Sequence, residues 1–331
     1  MKNILLLLSF LFVSNIIMAQ TPRIALVKPN GTTTIHSTFQ AAYDAAINDD
    51  YIYLPGGTFS LPTIDKKIHI IGAGSNIDSC QATGMSKVNP FSINSGAQGG
   101  SIEGLNILPG SGIGFYANSS TSSSIGFKIK RCFIDGNIQG NSVWESLVVE
   151  NCYFLSISGN IENSLIRNNV ILGHCSVNYS MFLNNIIFQV NGNLQLGSSN
   201  TFKNNIFQSD SYTSAPNSYF YNNVNITPYS SSSESYNTVI EPWVDIFLVP
   251  GMPSGSPPSY SYNVHNNYHI KVTSACYNSG ADGTDRGIYG GSSPWVEGSI
   301  PSNPHIYFKQ VAEETNANGQ LQIHFKVRAG N

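Results

Sequence analysis

A six-residue unit recurs six times in the middle of the chain, and its spacing constrains the fold more than any other feature. The copies are Ile129-Lys130-Arg131-Cys132-Phe133-Ile134, Val149-Glu150-Asn151-Cys152-Tyr153-Phe154, Ile166-Arg167-Asn168-Asn169-Val170-Ile171, Phe182-Leu183-Asn184-Asn185-Ile186-Ile187, Phe202-Lys203-Asn204-Asn205-Ile206-Phe207 and Phe220-Tyr221-Asn222-Asn223-Val224-Asn225. Their fourth position recurs after 20, 17, 16, 20 and 18 residues, about 18 on average. A period of that size, with short apolar runs parted by Gly, Ser and Asn, fits one turn of a coil built from about three short strands. Stacked turns make an all-β protein: a single-stranded, right-handed parallel β-helix. The leucine-rich and hexapeptide signatures of competing solenoids do not occur.

Each column of the repeat then has an expected direction. The fourth holds Cys132, Cys152, Asn169, Asn185, Asn205 and Asn223, and since Cys is among the most buried residue types the column should point inward. Buried amides must find partners. A ladder with each Asn donating to the next rung ~4.8 Å away supplies them, and Asn also tolerates the left-handed backbone of a tight corner. The first column, Ile129 to Phe220, should stack as the apolar core. The second, Lys130, Glu150, Arg167, Leu183, Lys203 and Tyr221, should face outward.

Composition agrees with this account. The 331 residues include 37 Asn, 44 Ser and 30 Gly, a third of the chain, while strong helix formers are scarce, which argues against a helical bundle. Only 11% of residues are charged and the formal charge is -3, so nucleic acid is not an expected partner. Seventeen Phe and 17 Tyr, with many Ile and Val, give enough apolar surface to exclude disorder.

The ends read differently from the middle. Lys2, an apolar run from Ile4 to Val13 and the small-residue exit at Ala19 have the layout of a secretory signal peptide, residues 1–19. No later stretch is long enough to span a bilayer, so after cleavage no transmembrane segment is expected and the protein should be secreted. An N-terminal cap covers residues 20–65: Ser37 and Gln40 resemble a capping box, and Phe39, Ala42, Tyr43, Ala46 and Ile47 follow helical spacing. The β-helix should occupy 66–291, with long loops at 208–262 whose Trp243, Ile246, Phe247 and Leu248 need burial, and should resume its coils at Tyr268 to Val272. Residues 292–331 form the C-terminal tail, whose hairpin around Asn318-Gly319 should cap the open end. Five cysteines, Cys80, Cys132, Cys152, Cys175 and Cys276, follow the leader; the odd number leaves at least one thiol unpaired within a monomer, and any pairing stays open.

Three stretches together resemble the right-handed parallel β-helix proteins of the pectin-lyase-like superfamily. Thr38 to Gly57, continuing to Phe59, is similar to the entry helix and first strand; the Asn-Asn rungs are similar to the coils; and Ser274 to Gly280 with Asp282 to Gly291 resembles a closing motif. The resemblance implies a fold that hosts lyases, hydrolases, adhesins and inert scaffolds. Its catalytic members cut acidic polysaccharides with clustered Asp residues, or by elimination with a Lys or Arg base and often calcium. The hydrolase signatures are not in place here, and Asp49-Asp50, the adjacent Asp pair, lies at the end of the entry helix.

Candidate site residues follow. Lys130, Glu150 and Arg167 should be neighbours on the outer surface, either as an elimination site or as a solvated ion-pair ladder. Tyr212, Tyr219, Tyr229, Tyr236, Tyr260 and Tyr262 would suit sugar stacking if exposed. Asp282 and Asp285 flank a Gly-Thr turn that could hold calcium, although no cofactor is required. Gly72-Ala73-Gly74 lacks the helix of a phosphate loop, His174 lacks a Cys or His partner at ligand spacing, and His265 and His269 sit four apart in a segment that reads as loop entering strand, not as the helix a metal pair needs. The expected function is a secreted scaffold that contacts polysaccharide or cell-surface glycan, with a polysaccharide lyase acting on uronic-acid polysaccharide, and after it a glycoside hydrolase, as the alternative.

Overall fold

The computed structural model describes residues 23–116, 124–188, 193–208, 212, 215–226, 234–254 and 260–328; the signal peptide expected at residues 1–19 lies outside them. Its strands stack as a parallel β-solenoid of about eight turns with three faces. The first face starts from the antiparallel pair Ile24–Val27 and Thr33–His36 and runs in parallel from Tyr51–Tyr53 through His69–Ile71 and Ser101–Glu103 to Glu234–Tyr236. The second face is eight parallel strands of two or three residues, from Gly57–Phe59 to Ile206–Phe207. Phe91–Asn94, Gly112–Tyr116, the first half of Asn137–Glu150, Ile157–Glu162 and Cys175–Asn178 form the third.

The repeat copies lie in register. Ile129, Val149, Ile166, Phe182, Phe202 and Phe220 pair rung to rung and are fully buried, with Phe182, Phe202 and Phe220 stacked at centroid distances of 4.7 and 5.0 Å. The fourth column is buried as expected. Asn185 donates to the Asn205 side chain at 2.9 Å and to the Ile166 carbonyl at 2.9 Å, and accepts from the Asn169 backbone and side chain. Asn169, Asn205 and Asn223 repeat the scheme, so each buried amide is satisfied by its neighbours.

One detail of the corner differs from expectation. The left-handed backbone belongs to the third column, not the fourth: Arg131, Asn151, Asn168, Asn184, Asn204 and Asn222 have φ between 50 and 58°. The two tasks of Asn are divided between adjacent positions. The third takes the strained turn, which Asn tolerates best among residues with a Cβ, and so aims its side chain outward; the fourth builds the internal ladder.

The entry helix α1 is Phe39–Ala45, shorter than the spacing suggested. Its cap is Thr38, which accepts from the Ala41 N–H, in place of Ser37. It stops before Ile47, whose N–H is taken by the buried Asp50 carboxylate and whose side chain is exposed. Phe39, Ala42 and Tyr43 join the core beside Ile24 and Ile52.

The coils do not resume at Tyr268. Asn267–Ile270 instead pairs antiparallel with Phe247–Val249, and this flap covers the outer side of the second face. The cause lies in the fifth column of the repeat. Tyr153, Val170, Ile186, Ile206 and Val224 are apolar yet point out of the coil, and burying them requires an external layer. Trp243, Ile246, Phe247, Tyr260 and Tyr268 supply it, while Leu248 stays exposed.

Residues 276–302 then run back across the coils in reverse order as a strap, held by the third column. Arg286 donates to the Asn223 and Asn237 carbonyls, Asn204 accepts from the Ala281 N–H, and Asn168 donates to the Ile288 and Gly290 carbonyls. Asn151 then bonds Ser293 and Val296, Arg131 the Ile300 carbonyl, and Glu103 both Ser302 groups. The tail hairpin, His305–Thr315 with Leu321–Arg328, exists as expected, but it pairs only with itself and starts level with Glu103 near the first coils, so it does not close the last one. All five cysteines are buried free thiols.

Candidate functional site

Side chains alternate across each strand, so the outer side of the first face carries two columns that run the length of the solenoid. One contains Tyr51, His69, Ser101, Lys128, Leu165, Met181, Thr201 and Tyr219; the other contains Tyr53, Glu103, Lys130, Glu150, Arg167, Leu183, Lys203, Tyr221 and Tyr236.

Lys130, Glu150 and Arg167 are consecutive rungs and are brought together. Glu150 accepts from Lys130 Nζ at 2.8 Å and from Arg167 Nε and Nη2 at 2.8 and 2.5 Å. The ladder is less solvated than a surface ladder would be, because the strap shields it and leaves the Glu150 side chain 8% exposed. Burial pushes the Glu150 carboxyl up, but the hydrogen bonds from Lys130 and Arg167 outweigh it and hold the group below its ordinary range. Between this cluster and the strap lies a cleft of about 690 Å³ whose lining also includes Arg131, Trp295 and Arg328.

Two cations sharing one carboxylate leave a single net positive charge, with Lys130 and Arg167 each partly open to solvent. Such a cluster can hold a carboxylate or hydroxyl of a ligand. Elimination would also need a nitrogen lone pair beside the substrate, and in this cluster both cations donate to the same carboxylate.

The tyrosine candidates separate. Tyr219 and Tyr236 are 44% and 48% exposed at the last rungs of the same strip. They flank Tyr221, which stacks on Tyr236 at 5.1 Å and 11° and lies beside Tyr219 at 6.3 Å and 16°. Tyr221 belongs with them, and the signal was available: it occupies the outward second column of the sixth repeat. Tyr212 and Tyr260 do not fit a sugar platform, since Tyr212 is buried beside Phe220 and Tyr260 lies under the flap against Trp243. Tyr262 is partly covered and packs on Tyr153 and Tyr268. Tyr229 lies outside the described residues.

Asp282 and Asp285 serve the closing turns. Asp282 accepts from the N–H and hydroxyl of Thr284, and Asp285 from the Asn278 N–H. Burial pushes the Asp282 carboxyl up, and the bonds from Thr284 bring it below its usual value. No group of three or more His, Cys, Asp and Glu side chains converges on a metal position among the described residues. His174 accepts from the Gln195 N–H, His269 stacks on Tyr289, and His265 lies 3.8 Å from Asp78. Asp49 pairs with Lys67 at 2.7 Å, and the buried Asp50 faces Lys28 at 3.8 Å. Among the described residues no helix is long and apolar enough to cross a membrane. Comparison with protein-family models, curated proteins and solved structures finds no match to this chain.

Proposed function

We propose that the protein is an exported glycan-binding scaffold, of the pectin-lyase-like kind its motifs resemble, which lays an extended acidic polysaccharide along the outer strip of the first face. The observation that carries this reading is the order of side chains on that strip. A three-tyrosine platform, exposed at Tyr219 and Tyr236, is followed rung by rung by Lys203, Leu183, Arg167, Glu150 and Lys130, three cations to one carboxylate. Aromatic faces stack on sugar rings, cations meet carboxylates, and the ~4.8 Å rung spacing is close to the length of one pyranose residue. Binding is favoured over cleavage because Lys130 and Arg167 both donate to Glu150.

A glycan array with wild type and the Tyr219→Ala/Tyr236→Ala variant tests the proposal. Uronic-acid polysaccharides should bind the wild type, weaken on the variant by at least about tenfold for two lost stacking contacts, and dissociate at high salt. Ultraviolet absorbance of unsaturated products, followed on the same panel, should stay flat; a rising signal would move the reading to a polysaccharide lyase. Unchanged binding by the variant would remove the strip from consideration.

A further inference from the structure

The second face holds a separate hollow. The flap covers the fifth column from Tyr153 onward but not Phe133, and the strap passes on the other side, which leaves a cleft of about 190 Å³ between them. One wall is Phe133 stacked flat on Tyr153 at 4.2 Å and 3°. Tyr262 of the flap and Trp295 of the strap stand around it, and Ile77 and Val264 form the lips, where His265 approaches Asp78 at 3.8 Å.

Several polar atoms of residues lining this cleft make no hydrogen bond among the described residues, and three of them matter here. The Tyr153 and Tyr262 hydroxyls have none, and Asn106 uses its amide N–H on the Ser75 carbonyl and Met85 sulfur while its Oδ1 accepts nothing. Burial raises both phenols, Tyr153 to about 12, so both remain neutral groups able to donate or accept at physiological pH. Glu297 is the one formal charge on the lining, and it already accepts the Tyr289 hydroxyl.

We propose that this cleft binds one neutral pyranose ring, the end or a branch of a glycan. A flat aromatic wall with unpartnered hydroxyl and amide groups matches a ring that has an apolar face and a rim of hydroxyls. The volume suits one ring and not two. With a carboxylate and no cation on the lining, a uronate would be repelled, so this site and the first-face strip select different sugars. A quaternary ammonium ion would suit the aromatic walls but would make no use of the two hydroxyls and the amide oxygen, which a sugar hydroxyl can bond.

Calorimetric titration and intrinsic tryptophan fluorescence with the methyl pyranosides of glucose, galactose, mannose and N-acetylglucosamine test the site, alongside glucuronate and tetramethylammonium. At least one neutral glycoside should bind saturably and perturb Trp295. Tyr262→Phe, which removes only a hydroxyl, should weaken binding about fivefold and Trp295→Ala about tenfold, with unchanged circular dichroism showing that both fold. Tyr219→Ala/Tyr236→Ala should leave it intact, so failure of the strip and failure of the cleft are read separately. Saturable binding of no neutral glycoside, equal binding of glucuronate, binding of tetramethylammonium alone, or indifference to both cleft variants would overturn the proposal.

Discussion

Replacing Asn185 by Ala tests whether the internal amide ladder, rather than the apolar column beside it, holds the coils in register. The side chain is fully buried and makes four hydrogen bonds, two donated and two accepted. After truncation Asn205 Oδ1 still accepts from the Asn185 backbone, and the Asn169 amide still donates to the Val149 carbonyl. The Asn169 N–H loses its bond without replacement, whereas the Ile166 carbonyl loses a second bond and keeps the one that the parallel register with Met181–Leu183 gives it. An unsatisfied buried group costs about 1–3 kcal/mol and a lost additional bond about 1 kcal/mol, so the change costs about 3 kcal/mol before any cavity contribution. With a urea slope of ~3 kcal/mol/M the unfolding midpoint should fall by roughly 1 M. The matched control is Asn184→Gly at the same corner, between Met181–Leu183 and Ile186–Ile187. Asn184 makes one long bond to the strap, 3.4 Å to the Asp285 carbonyl, and Gly accepts its φ of 55°, so about 1 kcal/mol is expected. Equilibrium urea unfolding, followed by far-ultraviolet circular dichroism and tryptophan fluorescence, compares the two. If Asn185→Ala costs no more than Asn184→Gly, the ladder does not carry the register and the reasoning fails.

Cys152→Asn should extend the ladder by a rung: the Cys132 N–H now reaches the Cys152 sulfur at 3.4 Å and would find an amide oxygen instead, raising the urea midpoint by a gain of about 1 kcal/mol. At Asn168, with φ of 53° and two bonds to the strap, Gly loses the clasp and Ala loses the clasp and adds backbone strain; Ala should therefore be the less stable by about 1 kcal/mol, with faster proteolysis of residues 276–302 in both. Because the folded Glu150 carboxyl sits below its unfolded value of about 4.3, its stabilisation is present above that pH and is lost as pH falls through the folded value. Glu150→Gln should thus cost about 2 kcal/mol in urea unfolding at neutral pH, allowing for the solvent access of its two cations, and the gap to wild type should close below about pH 4.

What was legible in the sequence is what a period can encode. The first, second and fourth columns were assigned from spacing and residue type, because inward and outward positions repeat at every rung and Ile129, Cys132 and Lys130 each stand for a series. Contacts between distant segments leave no such trace. Asn168 and Asn151 look like ordinary corner residues until the strap is seen against them. Tyr212 could not be told from Tyr219 by type or neighbourhood, yet one is buried beside Phe220 and the other stands in solvent. The fifth column did carry a signal: Tyr153, Val170, Ile186 and Ile206 are apolar next to an inward position, which means that both sides of the second face are buried and an outer layer must exist. The strand at Asn267–Ile270 belongs to that layer, which explains why its alternation imitated a coil.

The strap also sets the order in which the molecule can be completed. A bare stack of coils has only nearest-neighbour contacts and can grow from its first rung as the chain emerges. Here Arg131, Asn151, Asn168 and Asn204 wait for residues that are made more than a hundred positions after the first of them, on the far side of the flap. Early coils can form with their outward amides held by water, but they lock only when residues 276–302 arrive and fold back over them. A stack that would otherwise fray rung by rung from its end becomes a closed loop of dependence, in which loosening the final segment loosens the middle.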